Sequence, residues 1–150
     1  MYHWLTSDDG RILHIRHTGE YVDDEGNVSL LEVLQHMSAE DLSILDVFIR
    51  NTHAVTAASL KNTDRAQQEV YKRKVTSVLQ AKGLSTELLK LKFFFILPEK
   101  EVISLKIQER MRRTISPWDV VLRPVYYPSL EEALQDLKDY SPVFSGAWRD

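Results

Sequence analysis

Histidines are the residues of this chain whose types and positions most readily suggest chemistry. His3, His14 and His17 fall on or beside two alternating segments at the start of the sequence, where neighbouring strands can bring a pair together as metal ligands. The spacing argues against that use. Positions 14 and 17 differ by an odd number, so on one strand the two rings point to opposite faces, and no acid at a fitting position completes a ligand set. His53 has the chemistry of a general base but no nucleophile beside it in sequence. With no cysteine, the chain lacks a thiol nucleophile, thiolate ligands and disulfides, which suits a reducing cytoplasm. There is no glycine-rich phosphate loop. These features lead to the expectation of a protein without catalytic activity, metal or cofactor.

Charge offers a second kind of chemistry. The net charge of −3 divides into −7 over residues 1–60, +7 over 61–125 and −3 over 126–150. The basic part includes Arg65, Lys72, Arg73, Lys74, Lys106, Arg110, Arg112 and Arg113, a stripe of the sort that binds phosphates. The overall acidity and the lack of interleaved aromatics for base stacking favour solvated helix faces over a nucleic-acid site. A chain divided in this way is suited to docking on a charged partner or on its own copy. The run Phe93, Phe94 and Phe95 reads first as core, and second as the lining of a pocket for a small apolar ligand or lipid.

The elements that would position these groups follow a regular order. Tyr2–Thr6 and Arg11–His17 alternate apolar and polar residues around the turn formers Ser7, Asp8, Asp9 and Gly10, and predict a hairpin. Thr18–Asn27, with four acids and two glycines, predicts an exposed loop. Ser29 and Glu32 predict a capping box opening the first helix, with Leu30, Leu31, Leu34 and Met37 as its apolar stripe. Leu42–Arg50 predicts a third strand, and a second helix runs from Asn62 or Thr63 to Lys82, ended by Gly83. Leu91–Leu97 (LKFFFIL) lacks alternation, as a strand covered on both faces does.

A third helix is expected from near Glu99, with Ile103, Ile107, Met111 and Ile115 on one face, followed by a strand at Val120–Val125 that Pro124 confines to a sheet edge. Ser129 and Glu132 form a second capping box before Leu130, Ala133, Leu134 and Leu137. A chain of 150 residues suffices for one core, burying roughly 70% of its unfolded surface. The domain is expected over residues 1–140, and 141–150 form a tail. No stretch reaches the ~20 apolar residues of a membrane span, so a soluble, cytoplasmic protein is expected.

The leading hairpin with its Asp-Gly turn, the acidic segment, the repeated strand and helix units and the closing run YPSLEEALQDL resemble the STAS family of anti-sigma-factor antagonists, and more narrowly its SpoIIAA-like branch. The likeness covers residues 2 to 140. It implies an α/β fold with about five strands in a mixed sheet and four helices, and a regulatory or protein-interaction role in a bacterial-type cytoplasm. The alternative is an apolar-ligand domain of CRAL-TRIO-like type. The family's phosphorylatable serine follows the third strand, which here corresponds to His53–Leu60 (HAVTAASL). Ser59 and Thr56 are the hydroxyls near that place, although neither stands in an Asp-Ser-x-Gly-like turn, and a hydroxyl before a helix ordinarily caps it. Tyr140, Phe144 and Trp148, beyond the last capped helix, are expected to pack on the domain or to enter an interface, with a homodimer as the simplest form.

Overall fold

A computed structural model of the chain describes residues 1–21, 25–58, 65–84, 91–96 and 125–150. Strands β1 (Tyr2–Thr6) and β2 (Ile12–Tyr21) pair antiparallel, from Tyr2 opposite His17 to Thr6 opposite Leu13. Their turn is closed by side chains: the Ser7 hydroxyl donates to Asp9 and accepts from the Ile12 amide, at 2.7 and 3.0 Å. Gly10 adopts φ 75°, a left-handed backbone conformation that selects glycine.

The fold is α/β, with a mixed sheet in the order β1-β2-β3-β4. Strand β3 (Val47–Ala58) runs parallel to β2, and β4 (Lys92–Ile96) runs parallel to β3. A three-residue strand, β5 (Val125–Tyr127), lies parallel to β4 at the edge of the sheet. Helices α1 (Glu25–His36), α2 (Ala39–Ser43) and α3 (Arg65–Ala81) occur in the crossovers, and α4 (Leu130–Gln135) follows β5. Because successive parallel strands are neighbours, right-handed crossovers place α1 to α3 on one face. There Leu13, Ile15, Phe48, Phe93 and Phe95 meet Val33, Leu34, Leu42, Val75 and Leu79. On the reverse face, Ile12, Val47, Ile49, Phe94 and Ile96 are covered by Ala133, Leu137, Tyr140 and Phe144. With both faces covered, β4 has no polar side to present, which is why its sequence does not alternate.

Three expectations need correction. The acidic stretch after β2 is not simply a loop: β2 continues to Tyr21 and α1 begins at Glu25, whose side chain is buried along with Gly26. Ser29 therefore lies inside α1 and caps nothing. It is fully buried and donates to the Gly26 carbonyl at 3.0 Å. In the third segment a short helix precedes the strand, because Ser38 accepts from the Asp41 amide and opens α2, and β3 begins only at Val47. Ser129 does cap α4, accepting from the Glu132 amide at 3.3 Å. The expected helix after Glu99, most of the strand at 120–125 and the start of the helix at Asn62 or Thr63 lie outside the described residues.

Candidate functional site

Among the described residues, a cluster of polar side chains lies on the helix-covered face, where β2 and β3 approach the first turn of α1. Ligand sites of open α/β sheets also gather beyond the carboxyl ends of parallel strands. Alternation along β2 sends Leu13, Ile15 and His17 toward α1. The β2–β3 register shifts at His17, between Arg16 and Thr18, and again after Gly19, which has φ 68°. His17 is fully buried, its Nδ1 2.6 Å from Oε2 of Glu25, and the other Glu25 oxygen lies 2.8 Å from the Met1 α-amino group. From β3, Arg50 Nη2 donates to the Gly26 carbonyl at 2.6 Å, with its guanidinium 5.2 Å from the Phe48 ring centroid. A Cβ on Gly26 would stand 2.5 Å from the Tyr21 hydroxyl and 2.6 Å from Arg50 Nη1, so any larger residue here must displace one of these two side chains.

Burial pushes His17 down to about 4, and Arg50 and the α-amino group act in the same direction against the raising effect of Glu25. For Glu25 burial acts upward, but the hydrogen bonds from His17 and the α-amino group outweigh it and leave the carboxyl below its ordinary value. At neutral pH the pair is therefore a neutral imidazole donating from Nδ1 to a carboxylate. Nε2 is then a lone-pair acceptor, and it has no hydrogen-bond partner among the described residues. A carboxylate orienting an imidazole is half of a general-base arrangement. The other half needs a hydroxyl or a substrate at Nε2, and none is within hydrogen-bond reach among the described residues. What the cluster does in this geometry is bind the start of α1 to the sheet.

His14 lies on the reverse face, so the two histidines do not converge. Its ring is nearly buried, edge-on to Phe144 at 5.7 Å and to Trp148 at 4.9 Å, with Asn51 Nδ2 3.4 Å from Nε2. Burial, then the charges of Arg16 and His17, push it down to about 3. Arg16 stacks on the Trp148 indole at 4.1 Å. The tail that carries these aromatics docks on its own hairpin. Trp4 and Arg149 exchange backbone hydrogen bonds of 2.9 and 2.8 Å, the Asp8 amide donates to the Val143 carbonyl, and Ser145 donates from amide and hydroxyl to Asp8. His3 meets Asp150 at 2.6 Å. Tyr140 and Phe144 complete the reverse-face core, and Trp148 stays 36% exposed.

Among the described residues, open recesses lie on α3 and beside α4. One, about 380 Å³, is a groove between α1 and α3 with Leu31, Val70 and Val78 on its floor and Gln35, Arg73, Lys74 and Ser77 around them. Lys82 fixes its end by donating to the Gln35 and Met37 carbonyls, where the C-terminal carbonyls of α1 need partners. The other, about 470 Å³, is acidic, formed by Glu131, Glu132 and Asp136 with Tyr127, Ser129 and Gln135.

Of the two hydroxyls expected at a helix start, Thr56 is exposed within β3, and Ser59 lies outside the described residues. His53, partly exposed, donates its amide to Asn51 Oδ1. The phenylalanines pack on one another and on Phe48 and Tyr127: Phe93 stacks on Phe48 at 5.0 Å, and Phe94 lies 4.9 Å from Tyr127. Tyr21, Glu25 and Arg50 were not singled out by sequence. Among the described residues, no three His, Asp or Glu side chains are placed to hold a metal ion, and no helix is long and apolar enough to cross a membrane. No protein family, no curated protein and no solved structure matches this chain.

Proposed function

We propose that the chain is a non-catalytic STAS-like regulatory module of a bacterial-type cytoplasm, working by docking a protein partner on the α1–α3 groove. The observation that carries this reading is the composition of that groove. Val70 is 45% exposed at its floor, where an isolated helix face would carry a polar residue, and Arg73 and Lys74 stand beside it. An apolar floor with a basic rim suits an amphipathic helix whose apolar stripe is bordered by acids. The rim charges steer encounter and set orientation; the valines and Leu31 supply the desolvated contact. The leading hairpin and the sequential strand and helix units support the STAS-like assignment. Thr56, exposed on β3, is a hydroxyl open to a regulatory phosphate.

The test is a photo-crosslinking residue in place of Ser77 in the full chain. The partner it captures should then bind the purified chain at least about ten-fold more weakly after Arg73→Glu with Lys74→Glu, with unchanged thermal unfolding. Undiminished affinity in that double variant refutes the groove.

A further inference from the structure

The docked tail meets the body of the domain through a strained connection. Ser141 has φ 48° and ψ 67°, the one non-glycine residue with positive φ among those described. An L-residue is disfavoured there by contact between its Cβ and the backbone, and a following proline restricts it further toward extended conformations. Residue 142 is that proline. The Val143 amide donates to the Ser141 carbonyl at 2.7 Å and closes a tight three-residue turn over it. The chain is thus bent sharply at residues 141–143 so that its last residues can reach their own hairpin.

The seat is built without the connection. Trp4 and Arg149 pair by backbone, Asp8 holds Ser145, and Trp148 lies between His14 and Arg16, all on the β1–β2 hairpin. An empty seat would uncover His14 and leave the outer edge of β1 unpaired at Trp4, a cost that disfavours a freely released tail. The same contacts form equally well with the tail of another molecule, while the bend at Ser141 need not form. We propose that residues 141–150 exchange between two copies of this chain, giving a two-fold dimer in which each tail fills the other's hairpin seat. Exchange of an identical segment keeps every contact of the seat and gives up only the Val143–Ser141 hydrogen bond of the turn, and strain in a short hinge favours it. The seat lies across the sheet from the α1–α3 groove, so the two proposals succeed or fail separately.

The absence of cysteine allows a direct test. The Trp4–Arg149 bridge sets His3 opposite Asp150, so His3→Cys with Asp150→Cys places two thiols at a strand pair within disulfide reach. The full-length double variant is oxidised after equilibration at low and at high concentration, then resolved without reductant and mapped by mass spectrometry. A 3-to-150 link within one chain at low concentration and between two chains at high concentration is the expected result. Adding Ser141→Gly, which removes the strain of the closed form, should lower the dimerisation constant about 25-fold, about five-fold for each hinge. Sedimentation velocity of the cysteine-free chain with and without Ser141→Gly gives the same comparison without the thiols. A link that stays within one chain at every concentration, a link joining like positions, or a dimerisation constant unmoved by Ser141→Gly each overturns the proposal.

Discussion

His17 Nδ1 lies 2.6 Å from Glu25 Oε2, a contact between the middle of β2 and the first residue of α1 that is sealed from solvent on the imidazole side. Its energetic sign follows from burial. An imidazole held below its ordinary value binds its proton less well in the folded than in the unfolded chain, so acid favours unfolding.

His17 at about 4 and His14 at about 3 both stand below the ordinary imidazole value of 6.5. Stability should be fully present above pH 6.5 and fall as pH drops toward 4, with up to two protons taken up on unfolding. The loss should reach several kcal/mol, roughly 1.4 kcal/mol per pH unit for each histidine. Below the ordinary range of Glu25 the loss steepens, because its carboxylate is favoured by the fold. Urea unfolding at pH 7.5, 5.5 and 4.5 measures this. Equal stability at the first two values would show that neither ring is buried as described.

Gly26→Ala should destabilise the chain by about 1–3 kcal/mol, although alanine is the better helix former. Its methyl group meets the Tyr21 hydroxyl and the Arg50 guanidinium at under 3 Å. Chemical denaturation reads the effect; a stabilised variant would mean that Arg50 moves aside freely.

Phe94→Ala should cost about 3–5 kcal/mol, since the ring is 6% exposed in the reverse-face core and packs on Tyr127. A urea midpoint within the error of wild type would remove β4 from the centre of the sheet.

Thr56→Asp tests the hydroxyl on β3. The side chain is exposed, so stability should change by no more than about 0.5 kcal/mol, while affinity for the cross-linked partner changes. Equal affinity in the two proteins removes Thr56 from regulation.

How much of this was readable beforehand depended on whether a feature is local. The hairpin, β4 and α4 were readable because turn chemistry, an unbroken apolar run and a cap followed by its stripe all act within a few residues. The Ser29 pattern misled because Ser-x-x-Glu marks a helix start only where the amides need a cap, and here Glu25 and Gly26 already extend the helix upstream. Burial of Glu25 was hidden because its partners, His17 and the α-amino group, are 8 and 24 residues away. Arg50 read as the polar end of a strand, and only the aromatic floor of Phe48 and Phe93 makes a covered place for it. The groove was half legible: Arg73 and Lys74 belonged to the basic stripe, but the apolar floor between them and Leu31 exists only once α1 packs beside α3.

The most direct measurement of the docking claim is an amide and methyl chemical-shift titration of the labelled chain with the cross-linked partner. The perturbed signals should centre on Leu31, Val70 and Val78 and spread to Arg73 and Lys74, with Val70→Asp abolishing them while the rest of the spectrum stays native. Perturbation centred instead on α4 and the Glu131–Glu132 recess, with α1 and α3 unmoved, would contradict it.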